Sequence, residues 1–457
     1  MPNHHNLIKD NPINTYIMSK KTLFLATLMA ALAWPLGAWA QFHESGYMQA
    51  AGSGGRDIIR HWRGGVAVAH YEEAGKSWFA YVSSTGTARR FAADEGYYVA
   101  DLRVVGDVAW FCGTHALGRS QLIPFGPEGE AFVGFFKIDT ALTSFQIYYV
   151  ALDSAIDVLD NLVAYPSAAG THVVALGRKH MTSPPYSGHY DCLVEGDYPH
   201  GSGSFEYKYA ILPLNAPYER LWNVTETARY VALSGAYVDA GTSICLHRCG
   251  KESVLRDYLG TPAHIYPVAR ELYSRTHAAA LGGDGLALSS LGGEPDRFEN
   301  RVRVFDLGTM QMTHSHAMQV PKSEASDLVF LPGARRIVLS QQLGQDATVL
   351  SLDPFLLAPQ VAPMIGVDRT LLSLDAASPS HYIGAGGKLW FMRDAAASPL
   401  GTGSHCYTAT KMPITPLPNI HPQEVWTTGN IVADTVISHN TRSFITPEII
   451  ASSCVQN

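Results

Sequence analysis

An all-β fold built from repeated antiparallel meanders is what this sequence predicts, and three observations carry the prediction. Short β-branched and aromatic runs bounded by Gly, Asp, Asn and Pro recur along the chain, which is the composition of strands and their turns. Helical periodicity is scarce beyond residue 40. A weak internal repeat then orders the strands: an acidic lead-in, an apolar strand, a tight turn and a second apolar strand.

The repeat is clearest in DLRVVGDVAWFCG (101–113), with Gly106-Asp107 at its turn. There Val108, Trp110 and Cys112 should share one strand face, and Ala109 and Phe111 the other. IDVLDNLVAYPS (156–167) follows with Asp160-Asn161 at the expected turn, and SDLVFLPGARRIVLS (326–340) with Pro332-Gly333. Looser copies are LLSLDAASPSHYIGAGGKLWFM (371–392), RELYSRTHAAALGGDGLAL (270–288) and YVALSGAYVDAGTSICLHR (230–248). Third strands are expected at AFVGFFKID (131–139), EYKYAILPL (206–214), NRVRVFDLG (300–308) and ATVLSLDP (347–354). A hairpin over 64–86, turning near Glu73–Gly75, precedes the first copy. Each meander has one face too apolar to leave wet, and stacked neighbours bury it.

The second strands recur roughly every 55 residues, somewhat above the usual spacing of propeller blades. A closed ring of such units leaves only short, protected edges. The fold expected is therefore a β-propeller of about seven degenerate blades, a single domain over residues 41–457. Six or eight blades and a β-sandwich array are the alternatives. WTTGNIVADTVISH (426–439) is a late strand expected to pair near the N-terminal hairpin and close the ring.

The N-terminus reads as an export signal over residues 18–40. Lys20 and Lys21 form a basic start, an uncharged stretch runs from Leu23 to Ala40, and Ala38-Trp39-Ala40 precedes Gln41 as a cleavage site. Residues 1–17 precede a complete signal with its own Met18 and read as an over-called start. The expected location is periplasmic, cell-surface or secreted, with no membrane span left after cleavage. The whole chain is 46% hydrophobic and 16% charged, which disfavours disorder. A net charge of −7 argues against nucleic acid as a partner.

Export permits disulfides among the six cysteines, Cys112, Cys192, Cys245, Cys249, Cys406 and Cys454, and Cys406–Cys454 is the pairing expected to hold the tail. Neither Cys112 with His115 nor Cys245, His247 and Cys249 makes a convergent zinc set, because three alternate strand residues span about 13 Å. His314 and His316 share a strand face with no carboxylate placed to join them. No metal site and no cofactor is expected.

The segment 177–207 reads as an insertion loop rich in His, Tyr, Pro and Gly. Its Tyr186, His189, Tyr190, Tyr198 and His200 are the candidate ligand contacts, since aromatic faces supply rigid area to a sugar or a protein partner. No G-x-S-x-G, H-E-x-x-H, P-loop or dinucleotide fingerprint occurs, so no catalytic residue is assigned. Asp101 and Asp157 occupy comparable repeat positions, which points to turn or capping geometry rather than catalysis. The layout of residues 60–440 resembles secreted bacterial β-propeller proteins with signal peptides and degenerate blades. It lacks a WD series, a kelch Gly-Gly series and a YVTN motif, so no functional residue is carried over from the resemblance. The function expected is binding or scaffolding of a protein or glycan. The alternative is a hydrolase or lyase with its site in the central funnel.

Metal analysis of the purified mature protein, with a free-thiol count, checks the reading of the cysteines. No stoichiometric zinc is expected, and zinc together with alkylation-resistant Cys245 and Cys249 would overturn it.

Overall fold

The computed structural model describes residues 43–46, most of residues 56–393, and the segments 404–411, 432–434 and 448–456. Among these residues the strands form seven sheets, five of them four-stranded with the strands in chain order. The meanders run over residues 56–95, 97–151, 158–212, 218–267, 277–319, 325–368 and 373–393. The first strand of each sheet packs against the first strand of the next, and Ser373–Ser378 of the seventh packs against Arg56–Trp62 of the first. This closed circuit of first strands makes the fold a β-propeller.

Ring closure differs from the expectation. The outer partner of Lys388–Arg393 is His43–Gly46, antiparallel, with Glu44 opposite Trp390. Ser404–Lys411 continues that sheet in parallel, and Glu448–Gln456 follows. From the late 426–439 segment, Val432–Asp434 joins the outer strand Phe145–Ala151 of the second sheet instead of the N-terminal hairpin. The edge of Phe145–Ala151 was open to it, whereas the last sheet takes its outer strand from residues 43–46.

The acidic lead-in of the repeat has a definite task. Each first strand is the inner edge of its sheet, so its inward amides have no neighbouring strand to bond. Asp101 Oδ2 accepts the Leu162 amide of the third sheet at 3.0 Å and the Asn161 side-chain amide at 2.9 Å. Asn161 Oδ1 accepts the Val224 amide of the fourth sheet at 2.9 Å. Asn223 donates onward to the carbonyl and hydroxyl of Thr276, at 2.9 and 2.7 Å. Asp327 Oδ2 accepts the Leu374 amide at 2.8 Å, and Ser373 Oγ accepts the Ile59 amide at 3.3 Å. Asp101 and Asp327 also accept the amide of their own following residue, Leu102 and Leu328, both at 2.8 Å. Arg60 of the first sheet and Arg103 each reach Asp101 at 3.0 Å.

A β-bulge immediately precedes four of these residues, Asp101, Asn161, Asn223 and Asp327, and turns the side chain out of its own sheet. In three sheets the residue opposite the bulge is a glycine, Gly113, Gly177 or Gly235. A Cβ there would overlap the carbonyl oxygen of Tyr98, Val158 or Arg220. The counterpart of Asp101 in the third sheet is thus Asn161. Asp157, expected as the counterpart, lies before the strand and pairs with Lys179 at 3.0 Å.

Two other expectations shift for related reasons. Asp160-Asn161 is no turn, because Val158–Pro166 is one strand and the chain bends at residues 168–169. The expected loop 177–207 is mostly strand: Gly170–Met181 and Gly188–Pro199 form a long hairpin, and Glu206–Leu212 is the fourth strand rather than the third. The expected turn Gly106-Asp107 and the two strand faces hold. Val108, Trp110 and Cys112 pack toward the third sheet, and Ala109 and Phe111 toward the first.

Asp101→Ala removes a buried carboxylate (6% exposed) and strands Arg60 and the Leu162 amide, for an expected loss of about 3–5 kcal/mol. Asp107→Ala removes a carboxylate 79% exposed and is expected to cost less than about 1 kcal/mol. Denaturant unfolding of the two variants checks the contrast, and equal losses would count against the role given to Asp101.

Candidate functional site: a tyrosine cluster between the second and third sheets

Charged side chains gather where the first strands begin, and they are engaged with one another. Arg178 grips Asp160 with two bonds of 2.7 and 2.9 Å, Lys179 meets Asp157, and Arg220 stands 3.6 Å from Asp191. Asp191 is 3% exposed and accepts the Leu221 amide of the fourth sheet at 2.8 Å. Burial pushes its carboxyl up to about 6, outweighing the amide and the Arg220 and Arg178 guanidiniums.

A second buried group joins the third and fourth sheets. Glu195 accepts the amides of Val254 and Leu255, which start the helix Val254–Gly260, at 2.9 and 3.0 Å. His172 bridges Glu195 at 3.0 Å and Asp197 at 2.7 Å. Burial would raise the Glu195 carboxyl, but the His172 bond and the two amides hold it down at about 2. Burial would lower His172, and its two carboxylate partners raise it instead. These groups brace the ring.

Of the five sequence-predicted contacts, the described ones do not lie together. Tyr186 and His200 lie outside the described residues. His189 and Tyr190 sit near the start of the strand Gly188–Pro199, with Tyr190 buried, and Tyr198 sits near its end. Eight residues of extended chain separate Tyr190 from Tyr198 by about 26 Å. Cys406 stands opposite Cys454 in the register of the last sheet, whereas Cys112, Cys192, Cys245 and Cys249 are buried free thiols. Cys112 and His115, three apart on one strand, point to opposite faces, and His115 is the last residue of that strand. Among the described residues no three metal-ligating side chains converge.

Tyr198 does enter a cluster that sequence reasoning missed. Its ring lies 4.9 Å from Phe135 and 5.7 Å from Trp110. Phe135 stacks on Tyr148 at 4.8 Å, and Trp110 leads through Phe205 to Tyr207 and Tyr209. Trp110, Phe135 and Phe205 are fully buried and form the floor, while the four tyrosines are half-buried along the rim. Alternation places Phe135 and Lys137 on one face of their strand, opposite Tyr148 and Gln146 of the next. Tyr148 donates its hydroxyl to Gln146 at 2.9 Å, and the Lys137 ammonium lies 5.4 Å from the Phe135 ring and 5.8 Å from the Tyr148 ring. The Trp110 indole N–H is buried with no acceptor among the described residues. Burial pushes the Tyr198 hydroxyl up, and Tyr148 beside it adds to the rise. The sequence signal was the alternation of EYKY (206–209), which puts both tyrosines on one face.

No family model and no curated protein matches this chain. Among solved structures it is similar to a polysaccharide lyase, the PL25 ulvan lyase bound to a GlcA(1-4)Rha3S saccharide. That similarity has 10% identity and a TM-score of 0.45, over 76% of this chain and 95% of the other. The Dos1 propeller is similar at 9% identity and a TM-score of 0.42, over 76% and 94%. A Trypanosoma rangeli sialidase is similar at 9% identity and a TM-score of 0.39, over 74% and 53%. The fold assignment stands on the closed circuit of sheets described above.

The pH dependence of stability follows from Asp191. The folded chain keeps its proton up to about 6, whereas the unfolded chain releases it near 3.8, so this group makes stability fall as pH rises between those values. Asp191→Asn removes that titration. Its melting temperature should therefore decline less than that of the wild type between pH 4 and 6, and parallel curves would contradict the assignment.

Proposed function

We propose that this protein is an exported β-propeller that binds a glycan without transforming it, and that the glycan seats on the tyrosine cluster between the second and third sheets. The observation that carries the reading is the aromatic cluster itself. Half-buried Tyr148, Tyr198, Tyr207 and Tyr209 gather over Trp110, Phe135 and Phe205, so several aromatic faces come together. Sugars offer matching groups: an apolar ring face to stack and hydroxyl oxygens to accept a proton.

A hydrolase or lyase reading would build on Asp191, whose carboxyl is raised into the range of a working acid or base. Asp191 is buried, however, and bonded to the Leu221 amide. A group held in that way braces a junction and is poorly placed to reach a substrate. Export rests on the 18–40 segment, and in that compartment a Cys406–Cys454 disulfide would be permitted.

A glycan array on the full chain, followed by calorimetric titration of any ligand found, tests the reading. Tyr198→Ala and Tyr148→Ala are each expected to weaken binding about tenfold or more, or ~1.4 kcal/mol, with the fold intact by circular dichroism. Binding unchanged in both variants would sink the proposal, as would an array on which no glycan binds.

A further inference from the structure

We infer that His172 is a pH-operated clasp: charged, it locks the segment 251–260 of the fourth sheet onto the third, and uncharged, it lets that segment lift. His172 stands opposite Asp197 on one neighbouring strand and Tyr165 on the other. Alternation turns it, with Val174 and Leu176, toward the fourth sheet. Its Nδ1 lies 2.7 Å from Asp197 and its Nε2 3.0 Å from Glu195. Ionised carboxylates only accept hydrogen bonds, so both ring nitrogens must donate, and only the imidazolium carries two N–H groups. Burial alone would lower the proton affinity of the ring, yet the two carboxylates raise it.

Glu195 carries that charge into the neighbouring sheet. Besides His172 it takes the amides of Val254 and Leu255 and, at 3.3 Å, the exposed Lys208 ammonium. When the ring gives up a proton, one N–H remains for two carboxylates. Asp197, 42% exposed, can exchange its bond for water, whereas Glu195, 1% exposed, cannot. The remaining N–H therefore stays on Nε2, and Glu195 exchanges a charged partner for a neutral one inside the joint. A buried carboxylate short of counter-charge is costly. Its relief is to admit water, which lifts the segment carrying Val254 and Leu255. Other titratable groups face the same joint. Lys251 pairs with Glu226 at 2.5 Å and accepts the Tyr165 hydroxyl on its carbonyl. Asp257 takes the Gly250 amide and pairs with Arg256, and His247 lies against Tyr258. Glu206 is exposed opposite Asp197. Burial pushes the Cys249 thiol up to about 12, with Asp257 and Glu195 adding to the rise.

A histidine raised on folding contributes stability that is fully present below its unfolded value, about 6.5, and is lost as pH rises through the folded one. The clasp therefore loosens on the alkaline side, above the window from 3.8 to about 6 in which Asp191 titrates. Hydrogen exchange of the full chain by mass spectrometry, from about pH 6 to about pH 9 and corrected for base catalysis, reads it in peptides covering 251–260. Protection there is expected to fall about tenfold or more across the range, while peptides from the strand Tyr230–Val238 stay protected. His172→Gln should make the protection of 251–260 independent of pH, which separates His172 from the other groups of the joint. Asp197→Asn removes one of the two carboxylates that favour the charged ring, so the fall should begin at lower pH. A purely structural role for His172 would leave that midpoint in place. Constant protection in the wild type overturns the inference, as does a fall that persists in His172→Gln. Should His172→Gln fail to fold, the wild-type curve and the Asp197→Asn midpoint decide, and an unmoved midpoint overturns it.

Discussion

The ring depends on how the amides of its inner edge are satisfied. A four-stranded sheet has two edges, and in a propeller one of them faces the crowded centre, where water is scarce and no further strand can pair. A buried amide without an acceptor costs on the order of 1–3 kcal/mol, and a ring repeats that cost at every sheet. Here the cost is removed by short side chains at one recurring position. Asp101, Asn161, Asp327 and Ser373 each reach across to the next first strand and accept an amide. The same bonds fix the angle between neighbouring sheets, so satisfying the backbone and closing the ring are one act.

That arrangement decides where chemistry can happen. Carboxylates drawn into the joints are buried and committed to amides or guanidiniums, as Asp101, Asp191 and Glu195 are. The displaced proton affinities of Asp191 and Glu195 report burial and bracing, and they coincide with structural bonds. The aromatic cluster between the second and third sheets has a different character. Phe135, Trp110 and Phe205 are buried at its base, and half-buried tyrosines pack against them. Tyrosine suits that position because its ring can be buried while its hydroxyl stays wet.

Much of the fold was legible because the repeat exposes it. The strand faces of Val108–Cys112 and the Gly106-Asp107 turn followed from alternation and turn chemistry alone. The acidic lead-in was visible as capping, but its target was not, since the amide it caps lies some sixty residues onward in another sheet. The strand Gly188–Pro199 was misread because Asp191, Glu195 and Asp197 interrupt its apolar pattern. Two of these are the residues that bind the fourth sheet, so the local rule failed where long-range bonding overrode it. The aromatic cluster was legible only through Tyr198. Its other members come from strands far apart in sequence, and no local pattern announces them.

Amide hydrogen exchange, resolved by residue in the intact protein, tests the central claim directly. The amides of Leu162, Val224 and Leu374 lie on an edge with no partner strand, where an unbonded N–H exchanges fast. The account predicts that these three exchange slowly, at rates close to those of ladder-bonded amides in the sheet interiors. Exchange as fast as that of the unbonded amides beside them on the same strands would contradict it.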